Sequence, residues 1–110
     1  MKKKKMYLSL PITGRNLEKV KIFAEKVKRK WEDQGFKVIT PFDVNPLEGM
    51  PYNYYMGRDI EALLACDGII LSCDWFSSRG CRAECSVAEV YKKIIKTDNT
   101  VYEESEIQTE

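Results

Sequence analysis

The sequence predicts an α/β fold of three layers, in which a small parallel sheet of about three to five strands is flanked by helices in a Rossmann-like or flavodoxin-like arrangement. Short apolar runs alternate with longer amphipathic segments, and this order implies right-handed crossovers between parallel strands. One run, residues 68–71, reads Gly-Ile-Ile-Leu, which is typical of a strand buried on both faces. With 110 residues and 44% hydrophobic content, the chain can form one domain with one core.

Three apolar runs are the predicted strands. The first covers residues 6–10 and is closed by Pro11. The second covers residues 36–40 and is closed by Pro41, and the third covers residues 69–73. Because proline cannot continue a paired strand, we expect the first two strands to end at these prolines.

Three amphipathic segments are the predicted helices. In the first, apolar residues recur at helical spacing until Gly35 ends the pattern; they are Leu17, Val20, Ala24, Val27 and Trp31. The second helix is expected from about residue 54 to residue 66. The third is expected from about residue 80 to residue 95, with an inner stripe of Ala83, Val87, Val90 and Ile94.

A long loop, residues 42–53, separates the second strand from the second helix and contains two prolines and Gly49. A loop of this length is uncommon in a compact domain, so it is interpreted either as a substrate lid or as disordered surface.

Residues 1–96 form the predicted domain, and residues 97–110 form a polar acidic tail at the carboxyl end. The glutamates of this tail predict a frayed segment. The alternative is that residues 100–102 add a short fourth strand.

The charges nearly balance, with 18 Lys and Arg against 17 Asp and Glu, which leaves a formal net charge of +1. No overall field recruits a polyanion, so neither a nucleic acid polymer nor a membrane is an expected partner. The lysines at 2–5 are interpreted as a solvated leader, because the apolar stretch after them is too short for a signal peptide or a membrane span. We therefore expect a cytoplasmic protein.

The four cysteines lack the close pairs of zinc sites, and the chain has no histidine. We therefore expect no metal and no organic cofactor. Cys81 and Cys85 stand four residues apart, which leaves a disulfide or redox role as the alternative to reduced thiols.

Four polar side chains are the candidate catalytic groups. Parallel strands place their carboxyl ends at one edge of the sheet, so the loops after the first and third strands meet there. Tyr7 lies on the first strand, Asp59 on the second helix and Asp74 in the loop after the third strand. Glu84 is expected in the first turn of the third helix. Paired carboxylates without histidine suit cleavage of a glycosidic bond, because one can stabilise an oxocarbenium-like transition state while another protonates the leaving group.

Each of these residues also has a purely structural explanation. The helix dipole favours Glu84 in a first turn, and Asp59 is also typical of a solvated helix face. Asp74 suits a turn, and Tyr7 suits a strand. Their order along the chain is what favours a shared site.

Three stretches of the chain carry a family resemblance. They are Tyr7-Leu8-Ser9-Leu10-Pro11-Ile12-Thr13-Gly14, the segment from Arg58-Asp59-Ile60 to Cys66-Asp67-Gly68-Ile69, and Ser78-Arg79-Gly80-Cys81-Arg82-Ala83-Glu84 followed by Ala88. Over about residues 6–95, the chain resembles the nucleoside 2-deoxyribosyltransferase superfamily, and most closely the small uncharacterised deoxyribosyltransferase-like domains of phages and mobile elements. The superfamily includes transferases that exchange bases between deoxynucleosides and hydrolases that split nucleoside 5'-monophosphates.

The resemblance implies a role for each candidate catalytic residue. Glu84 would be the nucleophile that attacks C1' of the sugar and forms a covalent glycosyl-enzyme. Tyr7 would orient its carboxylate by a hydrogen bond. Asp59 would contact a sugar hydroxyl or assist protonation of the base, and Asp74 would handle the leaving base.

The resemblance also implies a phosphate subsite, in which Ser78 would bind a 5'-phosphate. Helix amino ends and nearby arginines at the same edge of the sheet favour an anion there as well. The candidate substrate-binding or phosphate-binding residues are Pro11, Thr13, Gly14, Arg15, Ser78 and Gly80.

The expected function is therefore cleavage or transfer of the N-glycosidic bond of a nucleoside, deoxynucleoside or nucleoside 5'-monophosphate through Glu84. One alternative is an inactive nucleotide-binding or sensor module with the same fold, and a weaker one is a structural partner protein. The expected partner is a nucleoside or nucleotide, and the expected assembly is a homodimer or a larger homo-oligomer.

Overall fold

The computed structural model describes residues 2–109 and contains a parallel sheet of four strands in the order β2-β1-β3-β4. The strands are β1 (Lys5–Ser9), β2 (Lys37–Ile39), β3 (Gly68–Leu71) and β4 (Ile94–Thr97). The predicted α/β fold and the predicted range of strand number are confirmed.

Four α-helices accompany the sheet in the part of the chain that the structure describes: α1 (Leu17–Glu32), α2 (Pro41–Val44), α3 (Tyr52–Leu64) and α4 (Arg79–Val90). The apolar stripe of α1 packs on one face of the sheet, against Met6, Leu8 and Ile70. Residues of α3 and α4 pack on the other face, against Tyr7, Ile69 and Leu71. None of the helices within residues 2–109 is both long and apolar enough to cross a membrane.

The order of the strands places a topological switch between β1 and β3. The chain leaves β1 to form β2 on one side and then returns to form β3 on the other side. Tyr7 pairs with Ile69, and Ser9 pairs with Leu71, so β1 and β3 end level with each other. Loops that diverge from such neighbouring strands leave a crevice at their carboxyl ends, which is where open α/β sheets bind ligands.

The predicted end of the third helix is wrong. We expected it to continue to residue 95, but α4 ends at Val90 and residues 94–97 form strand β4. Lys92 adopts a φ of 55°, which breaks the helical path, and the chain then pairs Ile94 with Gly68. The helical spacing of apolar residues continues beyond Val90, but pairing with β3 makes residues 94–97 a strand. The alternative fourth strand at residues 100–102 does not form.

The predicted loop of residues 42–53 is shorter in the structure. Helix α2 occupies its start, where the side chain of Thr40 accepts a hydrogen bond from the amide of Asp43 and the Asp43 carboxylate accepts one from the amide of Thr40. Helix α3 begins at Tyr52, two residues earlier than expected. The remaining segment, residues 45–51, is the part that could act as the predicted lid.

The carboxyl-terminal segment is packed on α1 and is not frayed over the part that the structure describes. Asp98 is buried, and its carboxylate accepts hydrogen bonds of 2.9 Å from the indole of Trp31 and from Lys30 Nζ. Tyr102 and Ile107 pack against the core on the α1 side. The charge of this segment alone predicted a frayed tail. In the structure, its scattered apolar residues pack against α1.

Gly68 generates a prediction about stability. A Cβ at this position would lie 2.5 Å from Ile94 O, 2.7 Å from Ile94 Cβ and 2.8 Å from Met6 Cε. We expect Gly68→Ala to lower the free energy of unfolding by about 1–3 kcal/mol, because β4 has to move away from β3. Chemical denaturation measures this change.

The matched control is Gly57→Ala. Gly57 lies within α3, and no heavy atom lies within 4 Å of an added Cβ. This substitution should stabilise the protein by about 0.5–1 kcal/mol, because alanine favours a helix more than glycine does. Equal stability of Gly68→Ala and the wild type would contradict the close approach of β3 and β4.

Candidate active site

A cavity of about 980 Å³ opens at the carboxyl ends of β1 and β3. Its walls come from the loop after β1, from α2 and the segment after it, from the first half of α3 and from the start of α4. Tyr7, Asp59 and Glu84 all line this cavity. The structure therefore brings together three of the four candidate catalytic residues.

Glu84 lies at the inner wall of the cavity and is buried. Its Oε2 accepts a hydrogen bond of 3.0 Å from the Tyr7 hydroxyl, and its Oε1 accepts one of 2.6 Å from Ser9 Oγ. Residues two apart on a strand face the same side, so β1 directs both hydroxyls at one carboxylate. The contact that we expected between Tyr7 and Glu84 is present.

The predicted position of Glu84 in a first turn is wrong. Helix α4 begins at Arg79, which puts Glu84 in the second turn. The helix dipole acts mainly within the first turn, so it does not explain an acidic residue at this position. The two hydroxyls of β1 give the carboxylate its local environment instead.

Asp59 is buried on the cavity side of α3. Its Oδ1 accepts a hydrogen bond of 2.7 Å from Asn45 Nδ2, which also donates to the carbonyl of Pro41 at 3.0 Å. Asn45 follows α2, so the short helix inside the predicted loop positions a partner for the second carboxylate.

Burial dominates the electrostatics of this carboxylate pair. Desolvation raises the pKa of Glu84 to about 7, the hydrogen bonds from Ser9 and Tyr7 lower it, and the charge of Asp59 raises it. Desolvation raises the pKa of Asp59 to about 6, against the hydrogen bond from Asn45. Burial and the two carboxylates hold the pKa of the Tyr7 phenol well above its ordinary value. The pair therefore loses its two protons in steps centred between about pH 6 and 7.

Asp74 does not join this pair. Its carboxylate forms an ion pair with Arg15 and accepts a hydrogen bond of 3.0 Å from Ser72 Oγ. It does not line the cavity in the part of the chain that the structure describes. Its effect on a ligand would therefore pass through the guanidinium of Arg15, which does line the cavity.

Five of the six candidate substrate-binding or phosphate-binding residues line the cavity: Pro11, Thr13, Arg15, Ser78 and Gly80. Gly14 does not, and its φ of 83° shows that it shapes the turn before α1. Ser78 Oγ accepts a hydrogen bond of 3.2 Å from the amide of Cys81 and so caps α4. Gly80 leaves room for Tyr52, whose hydroxyl would lie 3.2 Å from an added Cβ.

Two buried polar atoms have no hydrogen-bond partner among the described residues, namely Arg15 Nη1 and Asn45 Oδ1. Both residues line the cavity. Native proteins pair nearly all buried polar atoms, so an unpaired one often indicates strain, a catalytic role or a bound water or ion.

The sequence prediction missed several cavity residues. Ser9 had a readable signal, because it stands two residues after Tyr7 on the same strand. Asn45 had none, because its place depends on α2. The aromatic wall formed by Phe42, Tyr52 and Tyr55 was also missed, since these residues lie in or beside the segment interpreted as a loop.

All four cysteines are free thiols. Cys66, Cys81 and Cys85 are buried, whereas Cys73 is exposed. The structure has no disulfide among these four cysteines.

Glu84→Gln should stabilise the protein at high pH. The unfolded Glu84 ionises near its ordinary pKa of 4.5, whereas the folded Glu84 ionises near about 7. Between these values the folded state holds more protons than the unfolded state, so the contribution of Glu84 to stability falls as pH rises. Chemical denaturation at about pH 8 should show the variant more stable than the wild type by about 1–3 kcal/mol.

This advantage should shrink as pH falls through the window and should vanish below about pH 4. The control is Glu89→Gln, which changes an exposed carboxylate on the same helix. An advantage of Glu84→Gln that does not depend on pH would contradict the desolvated carboxylate.

Most of the chain matches a known protein family. No curated protein matches the chain at a significant level. The sequence profile of a family described as a domain of unknown function matches residues 4–97, which contain the whole sheet and the two buried carboxylates of the cavity, Asp59 and Glu84. The description names no activity, so the resemblance to nucleoside 2-deoxyribosyltransferases stays a prediction. The chain belongs to this family, the domain of unknown function DUF4406.

Proposed function

We propose that this protein cleaves or transfers the N-glycosidic bond of a nucleoside or nucleoside 5'-monophosphate, with Glu84 as the nucleophile. The observation that carries the proposal is the Glu84 carboxylate, which is buried at a cavity wall and held by the hydroxyls of Tyr7 and Ser9 beside a second buried carboxyl group. Burying two carboxyl groups together destabilises a fold, so such a pair at a cavity is typical of a catalytic site.

The hydroxyls of β1 suit a nucleophile that must attack from one fixed direction. Each carboxylate oxygen of Glu84 has one hydroxyl partner, so the group cannot rotate without losing a hydrogen bond. A carboxylate oxygen keeps a further lone pair when it accepts one hydrogen bond, and this lone pair can reach C1' of a sugar in the cavity. Fixing the attacking group in this way lowers the entropic part of the barrier.

The proposed reaction proceeds in two displacements at C1'. A Glu84 oxygen forms a bond to C1' while the bond from C1' to the base nitrogen breaks, and the electron pair leaves with the base. Asp59 gives its proton to the departing base. In the second step water, or the nitrogen of another base, attacks C1', the bond to Glu84 breaks, and Asp59 accepts the proton that the nucleophile loses.

The two carboxyl groups must share a single proton for the first step. The reactive form has the proton on Asp59 and the charge on Glu84. Because the pKa values of Asp59 and Glu84 lie close together, at about 6 and about 7, both arrangements of the singly protonated pair are populated. A substrate that donates a hydrogen bond to Glu84 would favour the reactive form.

The anionic part of a nucleotide has a suitable wall in Arg15, Ser78 and Arg79, which all line the cavity. The Arg15 guanidinium keeps one nitrogen without a partner among the described residues. A guanidinium at the cavity wall pairs favourably with phosphate oxygens, and this favours 5'-monophosphates over nucleosides. The aromatic wall of Phe42, Tyr52 and Tyr55 would suit a stacked base.

A second candidate function is a nucleotide-binding or sensor module without turnover. It is favoured by the protonation of Glu84, since a carboxyl group with a pKa of about 7 is half neutral at about pH 7 and a weak nucleophile in that form. The same cavity would then bind a nucleotide and release it unchanged.

Release of free base tests the proposal. The substrates are adenosine, guanosine, cytidine, uridine and their 5'-monophosphates, each as ribose and deoxyribose forms, with and without an added acceptor base. We expect release from at least one substrate, and a loss of at least about 10³-fold in Glu84→Ala, because the nucleophile is gone. Chromatography of the base measures it.

Glu89→Gln on the outer surface of the same helix is the control and should keep full activity. Release that persists in Glu84→Ala would overturn the assigned nucleophile. Tight binding without release from any substrate would instead support the sensor.

The rate should depend on pH as a bell with its optimum between about 6 and 7. Below this range both Asp59 and Glu84 hold protons, and above it neither does, so the singly protonated pair is lost on both sides. Asp59→Asn removes both the acid and the charge that raises the pKa of Glu84. This variant should be slow, its acidic limb should move to lower pH, and its alkaline limb should disappear. An unchanged bell in Asp59→Asn would rule out Asp59 as a member of the pair.

A further inference from the structure

The guanidinium of Arg15 is held between two groups. On one side it forms the ion pair with Asp74, whose side chain is about one third exposed, at 32%. On the other side the ring of Tyr102 lies against it, with 4.1 Å between the guanidinium carbon and the ring centroid. The Arg15 side chain itself is only 20% exposed. Nη1 remains without a partner among the described residues, in a residue that lines the cavity.

The ring of Tyr102 is itself fixed by α1 and by the residues around its amino end. It meets Phe23 edge to face, with 5.2 Å between the ring centroids. Its hydroxyl donates a hydrogen bond of 2.8 Å to the carboxylate of Glu104, which also accepts one of 3.1 Å from the amide of Asn16. Lys19 Nζ donates to the carbonyl of Glu104 at 2.7 Å. The ring is therefore not a loose surface contact.

The start of this segment is anchored as well. Asp98 is buried and bonded to Trp31 and Lys30, and the amide of Thr100 donates to its carboxylate at 2.9 Å. Burial raises the pKa of Asp98, but the hydrogen bonds from Lys30, Trp31 and Thr100 outweigh burial and lower it. The segment from Asp98 to Glu104 thus forms a strap that is attached to α1 at both ends. We call it the C-terminal strap.

The strap lies beyond the residues that match the family, which end at 97. Tyr102 therefore lies outside the part of the chain that the family profile matches. Its ring nevertheless contacts a residue of the cavity wall, and this contact links the strap to the site.

We propose that Tyr102 is a positioning residue, which holds the Arg15 guanidinium at the cavity wall so that it binds the anionic group of the ligand. This inference rests on the proposed function for its ligand class, a nucleoside 5'-monophosphate. A free arginine side chain loses much rotamer entropy on binding an anion. The stacked ring and Asp74 already restrict the Arg15 side chain before a ligand binds. Binding of the phosphate therefore costs less rotamer entropy.

Binding measurements in the Glu84→Gln background test this role, because they need no turnover. The probes are the same nucleosides and 5'-monophosphates, together with inorganic phosphate. In Tyr102→Leu we expect monophosphates and inorganic phosphate to bind about 3- to 30-fold more weakly, the range that corresponds to a lost cation–π contact. Nucleosides, which carry no anion, should bind as before.

Tyr102→Phe is the conservative variant and should restore monophosphate binding to within about 2-fold, because phenylalanine keeps the ring face over the guanidinium. Val101→Ala changes an exposed neighbour in the strap and should leave all affinities unchanged. If Tyr102→Leu does not fold, Glu104→Gln takes its place, because this variant weakens the hydrogen bond to the Tyr102 hydroxyl and leaves the ring in the core. Glu104→Gln should show a smaller loss of affinity, confined to the anionic probes.

Three results would overturn the positioning role: equal losses for nucleosides and monophosphates, no loss for either, or no binding of any anionic probe by the parent protein. The role and the proposed function fail separately. Base release by the wild type with unchanged monophosphate preference in Tyr102→Leu would remove only the positioning role. A preference that depends on Tyr102 in a protein that releases no base would keep the positioning role and remove the enzyme.

Discussion

The hydrogen bonds from Tyr7 and Ser9 to Glu84 are the contact on which the site depends. They connect the central strand to α4, through side chains that have little exposure to water. The parallel order of the sheet makes these hydrogen bonds possible. It places the end of β1 beside β3 and beside α4, the helix that follows β3. The cavity, the pairing of Glu84 with Asp59 and the raised pKa values of both groups follow from this arrangement.

Burying the two carboxyl groups costs stability, and the rest of the fold compensates for it. The sheet contributes a continuous apolar core on both faces, and β4 approaches β3 closely because Gly68 has no side chain. Proteins commonly keep such a destabilising group only where function needs it. Arg15 and Asn45, which line the same cavity, have the same character, since each holds a buried polar atom that has no hydrogen-bond partner among the described residues.

The C-terminal strap lies outside residues 4–97, which match the family. Its charge suggested a solvated tail, yet Asp98 and Tyr102 attach it to α1, and Tyr102 reaches a residue of the cavity wall. This segment therefore contacts the wall of the site without contributing a group to its interior. Asp74 also contacts Arg15, through an ion pair, and does not line the cavity in the described residues.

The sequence by itself determined the class of fold, the first three strands and the first helix, because the periodicities of strands and helices are local. It also determined that Tyr7, Asp59 and Glu84 meet, because parallel strands align their carboxyl ends. Tertiary structure alone decided the rest. Residues 94–97 became a strand because β3 offered an unpaired edge beside Gly68, and Asp74 turned to Arg15 because an opposite charge lay within reach. Asn45 and Tyr102 joined the site through contacts between segments distant in sequence, which no local pattern encodes.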